Sequence, residues 1–142
     1  MYKALNTEQI KRIILFIILC YICINCYADD WTSIGKGSHS DIFIQKNSIK
    51  DVEEYRQAWI LYSYDVIRIH KKKKYHSVVF LEKFDCKNKM ISPKKIIFYE
   101  KKMAQGKFVN TIAFDNDNFK PLIPNTIRET KLSYICSYKI KK

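Results

Sequence analysis

The chain has 142 residues, 47% of them hydrophobic and 14% aromatic, with only three glycines and three prolines. That composition can bury one core and excludes a disordered chain. The net charge of +12 comes from 26 basic against 14 acidic residues, a balance that favours anionic partners.

The first element reads as a targeting segment. Lys3, Lys11 and Arg12 precede a continuous apolar block from Ile13 to Ile24. The block has the length of a signal-peptide core, whereas a membrane-spanning helix needs about 20 apolar residues. Cys26 and Ala28 are small residues at the spacing a signal peptidase reads, so cleavage after Ala28 is expected; an uncleaved anchor is the alternative. Residues 1–28 are then a signal peptide, 29–136 the domain and 137–142 a basic tail.

Cys20, Cys23 and Cys26 have C-x₂-C-x₂-C spacing. They lie in an apolar stretch, whereas iron–sulfur ligands occupy a loop with a further cysteine nearby. None of the three follows the aliphatic-then-small pattern expected before a lipid-bearing cysteine, although lipidation stays open. Cleavage after Ala28 leaves Cys86 and Cys136. In an oxidising compartment an even pair reads as a disulfide, here closing a loop of about 50 residues and contributing about 4 kcal/mol. A free structural thiol and a catalytic thiolate are the alternatives. The latter needs a base and an electropositive pocket, and no motif joins His76 to Cys86.

Strand signals dominate the rest. Short β-prone runs at 31–34 and 42–45 flank the turn-rich "GKGSHSD", and 46–54 is polar. The run 55–64 alternates: Tyr55, Trp59 and Leu61 share one face, Ala58, Ile60, Tyr62 and Tyr64 the other. After a loop carrying "RIHKKKKYH", the run 77–86 places Val78, Phe80, Phe84 and Cys86 on one face and Val79 and Leu81 on the opposite one. Strands at 94–99 and 107–114 are joined by "KKMAQG" as a hairpin loop. Near the end, Thr126 and Glu129 have capping-box spacing, and Ile127, Leu132, Ile135 and Cys136 recur on one helical side.

These elements predict an α+β, mainly β fold. It is a single antiparallel sheet of about five or six strands, covered on one face by a C-terminal helix tied by the disulfide. The helix is expected over Val78, Phe80 and Phe84, with "SYKIKK" trailing away. The second face keeps apolar residues, Val79 and Leu81 or Trp59 and Leu61, and such a spare apolar face predicts a homodimer.

The densest candidate site is the basic run Arg68, His70, Lys71, Lys72, Lys73, Lys74 and His76. Four consecutive lysines repel one another and belong on an exposed loop. Such a loop can hold an anionic glycan or lipopolysaccharide by salt-sensitive attraction. Arginine after residue 28 is limited to Arg56, Arg68 and Arg128, so a nucleic acid is not the expected partner. His39, His70 and His76 lack metal-ligand spacing, and no cofactor is expected. Asp85 reads as a turn residue rather than an acid–base group.

The ordered landmarks "DDWTSIG", "DIFIQKNSI", "AWILYSY", "YHSVVFLEKFDC", "IIFY" and "PLIPNTIRETKLSYIC" resemble the surface-adhesin protein E-like domain of Gram-negative bacteria. Trp31, Ile34, Gly35, Ser48, Ile49, Trp59, Ser77, Phe84, Asp85, Cys86, Pro124, Ile127 and Cys136 carry the resemblance across residues 30–136. It implies a small antiparallel sheet with a disulfide-linked C-terminal helix, in an exported protein. It further implies adhesion to host matrix and plasma proteins such as vitronectin and laminin, and dimerisation. The leading expectation is therefore an exported, non-enzymatic binding module, periplasmic or at the cell surface. Its partners would be an extracellular-matrix or envelope protein, an anionic glycan or lipopolysaccharide, or a second copy. A small basic secreted hydrolase, which would gather a histidine and a carboxylate in a pocket, and a structural periplasmic protein are the alternatives.

Overall fold

The structure is a computed structural model that describes residues 6–24 and 31–140, without the side chains of 18–24. Helix α1 spans Thr7–Ile24, and its Ile10, Ile13, Ile14, Leu15, Phe16 and Ile17 are exposed. No helix among the described residues is long and apolar enough to cross a membrane. Cys26 and the expected cleavage after Ala28 lie outside the described residues, and Cys20 and Cys23 lie in α1 without described side chains.

The remainder is one antiparallel sheet with a helix on one face. Its main strands are β1 (Trp31–Gly37), β2 (Ser40–Gln45), β4 (Tyr55–His70), β5 (Lys73–Asp85), β6 (Met90–Tyr99) and β7 (Phe108–Ala113), adjacent in the order β1-β2-β4-β5-β6-β7. Two short strands lie off this path: β3 (Lys50–Val52) pairs with β4, and β8 (Lys120–Pro121) with β6. Helix α2 spans Ile127–Ser137.

Strict alternation decides the faces. Ala58 and Ile60 of β4 sit beside Phe84 of β5 in a core closed by Leu132 and Ile135 of α2. Ile42 and Ile44 of β2 complete it. On β5 this is the face the alternation predicted for the helix. Gly35 lies under the start of α2, where an added Cβ would stand 3.0 Å from Ile127 Cδ1. The glycine thus lets helix and strand approach closely.

Cys86 and Cys136 are bonded, with Cα atoms 5.7 Å apart. The turn carrying Cys86 is shaped by Asp85, whose Oδ1 accepts from the backbone N–H groups of Lys87 at 3.1 Å and Asn88 at 2.9 Å. Its Oδ2 accepts from Asn88 Nδ2 at 2.8 Å. These bonds, those from Asn88 foremost, hold the Asp85 carboxyl below the usual carboxylate range.

Arg56 closes the same, C-terminal end of α2. Its Nη1 donates to the carbonyls of Ile135 at 2.6 Å, Cys136 at 3.1 Å and Tyr138 at 2.7 Å, while Nε pairs with Asp51 at 3.2 Å. A cation placed on orphan C-terminal carbonyls satisfies them and opposes the helix dipole. Replacing Arg56 with Met is expected to cost about 2 kcal/mol in urea unfolding. An unchanged midpoint would show that the carbonyls are equally well served by water.

Four expectations are corrected. Thr126 does not cap α2 with its side chain: its Oγ1 donates to the Ile123 carbonyl at 2.7 Å, and Glu129 accepts from the Asn125 N–H at 2.8 Å. Residues 138–140 after α2 do not trail away, because Tyr138 and Ile140 pack against the core. "GKGSHSD" is mostly strand, with only Ser38 and His39 in the turn between β1 and β2. The second face is covered in part within one chain, while Trp59 and Leu81 stay half-buried on it. There Leu61 and Val79 are buried. The segment between β6 and β7 folds back over this face: Met103 N–H donates to Ser63 Oγ at 3.3 Å, and Ala104 N–H to Ser77 Oγ at 3.0 Å. Ser77 Oγ in turn donates to the Lys101 carbonyl at 2.6 Å. Two serines on an otherwise apolar strand face are thus the anchors of a strap.

Candidate functional site

The basic run is not a loop. Strand β4 continues to His70 and β5 begins at Lys73, with pairs Arg68↔Tyr75, Ile69↔Lys74 and His70↔Lys73. Only Lys71 and Lys72 form the turn, both with positive φ (47° and 63°). Two left-handed residues are what a tight hairpin turn matched to strand twist requires, and Asn-Gly is the usual solution. Lysine at both positions costs about 1 kcal/mol or more each, held in place by the paired strands. Sequence reasoning read charge repulsion as a loop, but a hairpin tip also keeps four lysines in water. All four are exposed, and Lys73 Nζ lies 3.4 Å from the Val109 carbonyl of β7.

The neighbours of the lysines divide. The Arg68 guanidinium lies over the Tyr64 ring, 4.2 Å from its centroid. His70 is half-buried, its ring stacked on Phe98 at 4.5 Å, and its buried Nε2 has no partner among the described residues. It packs against the sheet rather than joining the cationic surface. Tyr75 stands edge-on to both Tyr64 and Phe98. Burial, with Tyr75 adding to it, pushes the Tyr64 hydroxyl up to about 12. His76 is half-buried on β5, and His39 is exposed in the turn between β1 and β2. The hydrogen bonds and ion pairs of the described residues set none of these histidines against a carboxylate. No group of three potential metal ligands forms among those residues.

A second feature had no place in the sequence reading. Between α2 and the sheet opens a cleft of about 480 Å³, lined by Tyr62, Phe80, Ile96 and Arg128 among others. Its floor holds Lys131, 1% exposed, whose Nζ is 2.6 Å from Glu82 Oε2. The ammonium also lies 5.3 Å from the Tyr62 ring centroid. Burial alone would lower the Lys131 pKa; Glu82, then Tyr62, reverse this and raise it. The carboxylate is committed to the lysine, so the cleft floor offers a neutral pair rather than a free base. One signal was available: Glu82 shares its strand face with Phe80 and Phe84, so its carboxylate had to meet a cation under the helix.

The residue pattern of the surface-adhesin protein E family matches residues 31–137. No curated protein matches the chain. Among solved structures, crystal form II of Haemophilus influenzae protein E superposes with a TM-score of 0.59 at 17% identity, covering 78% of this chain and 90% of that one. A second structure of Haemophilus influenzae protein E gives 0.57 at 17% identity, over 78% and 86%. Protein E from non-typeable Haemophilus influenzae gives 0.55 at 16%, over 80% and 79%. At such identities the likeness establishes the shared sheet-and-helix fold. The family pattern spans every strand and α2, and this chain belongs to the surface-adhesin protein E family, as an adhesin-like surface protein.

Proposed function

We propose that the chain is an exported, non-enzymatic binding module that holds an anionic macromolecule of a host or envelope surface with the tip of its β4–β5 hairpin. The observation that carries this reading is the presentation of Lys71 to Lys74. A paired two-stranded ribbon, not a loose loop, carries them, with Lys71 and Lys72 in left-handed conformations that the strands must hold. Ordered cations lose less freedom on binding than the same charges on a mobile segment. Export, with cleavage after Ala28, agrees with the disulfide joining Cys86 and Cys136.

Immobilised heparin is a direct probe of the tip. Replacing Lys71–Lys74 together with Gln is expected to lower the salt needed for elution markedly, because the attraction is screened over about 10 Å at 0.1 M salt. All four side chains are exposed, so the fold should survive the change. Elution at an unchanged salt concentration ends this reading of the hairpin.

A further inference from the structure

Resting on the reading just given and narrowing it, we propose that the anionic partner of the hairpin tip is a lipid surface, entered by an apolar ridge beside the lysines. Within residues 31–140 the large hydrophobic side chains left exposed are Val66 (57%), Ile67 (56%), Ile69 (68%), Phe108 (60%) and Ile123 (68%). Single exposed apolar residues are ordinary, but Ile69 and Phe108 neighbour the lysines, and Val66 and Ile67 lie on the same hairpin arm.

The backbone explains how they come together. Strand β2 accompanies β4 only as far as the Ser40↔Tyr64 pair, and beyond it β4 runs on with β5 as a two-stranded ribbon. The β4–β5 ladder is interrupted between Ser63 and Arg68, so Val66 and Ile67 sit in the irregular segment rather than over the core. Ile69 lies directly across from Lys74. Phe108 opens β7 next to Lys107, and both line a shallow depression with Lys72, Lys73 and Lys74.

A glycan or an acidic protein would use the lysines and leave four exposed apolar side chains in water. An anionic bilayer uses both. Aliphatic and aromatic side chains enter the boundary between headgroups and acyl chains, and lysines reach back to the phosphates along their apolar stems. Near an anionic membrane each lysine contributes about fivefold in partitioning, so four contribute several hundredfold. Stable attachment generally needs two such signals, and the tip supplies a polybasic one and an apolar one.

The test is flotation of the exported protein with phosphatidylcholine vesicles, with and without phosphatidylglycerol, alongside heparin elution. Val66→Ser, Ile67→Ser and Ile69→Ser together alter only exposed side chains. This triple variant should lose about tenfold or more in partitioning to the anionic vesicles while eluting from heparin as the unaltered chain does. Lys71–Lys74→Gln should lose both. The inference is overturned if the unaltered chain does not float with anionic vesicles at low salt, or if the triple variant floats equally well. In either case lysine-dependent heparin elution would leave the broader anion-binding reading standing; its loss would remove that too.

Discussion

Replacing Cys136 with Ser, or Cys86 with Ser, is expected to destabilise the fold by about 4 kcal/mol, among the largest effects of any single change. The bond joins residues 50 apart and ties α2 to the turn between β5 and β6. Without it the unfolded chain regains the freedom of that loop, while the native state keeps Arg56, the Lys131–Glu82 pair and the apolar contacts of Leu132 and Ile135 to hold the helix. Urea unfolding of the oxidised and serine forms measures the difference. A shift of less than about 1 kcal/mol would mean that α2 is held by packing alone, well below what closing such a loop contributes.

The buried pair in the cleft should give an effect of similar size with a different signature. Lys131→Met leaves Glu82 buried without its cation and is expected to cost about 3–5 kcal/mol. Adding Glu82→Met should recover much of that loss, because two apolar side chains need no desolvated charge. The pair also predicts weakness in alkali. Folded Lys131 holds its proton more tightly than an unfolded lysine, whose pKa is 10.5. Its stabilisation is therefore present below that value and disappears as pH rises through the higher folded one. Burial raises Tyr62 above the ordinary 10.0 and Tyr64 to about 12, so both keep protons that the unfolded chain has released. All three act in the same direction, and stability should fall from about pH 10 upward. The double variant should lose less over that range. If Lys131→Met alone costs under about 1 kcal/mol, water fills the cleft and the pair is not desolvated.

An unpartnered lysine at the floor of that cleft would also have changed the functional argument. Glu82 and Lys131 satisfy each other, whereas Lys71 to Lys74 stand exposed at the hairpin tip, the site proposed above for an anionic partner. Within this family the fold is a scaffold, and recognition depends on what the scaffold presents.

Much of this molecule follows from the order of its residues. Period-two alternation in β4 and β5 separated Ala58, Ile60 and Phe84 from Leu61 and Val79, because successive strand residues point to opposite faces whatever the neighbours. Cysteine parity paired Cys86 with Cys136, since only two cysteines lie beyond the expected cleavage. Other features depend on what lies across space. Lys131 is buried because Glu82, 49 residues away in sequence, faces it under α2; within its own helix it reads as one more surface lysine. Lys71 and Lys72 form a turn against their own backbone preference because the flanking strands impose it. Ser63 and Ser77 look like neutral strand residues until the segment carrying Met103 and Ala104 folds over them. Periodicity and sulfur count are properties of the chain itself. Pairing of buried charge, enforced turns and the strap are decided by tertiary contact, because the free energy of a polar group depends on what replaces its water.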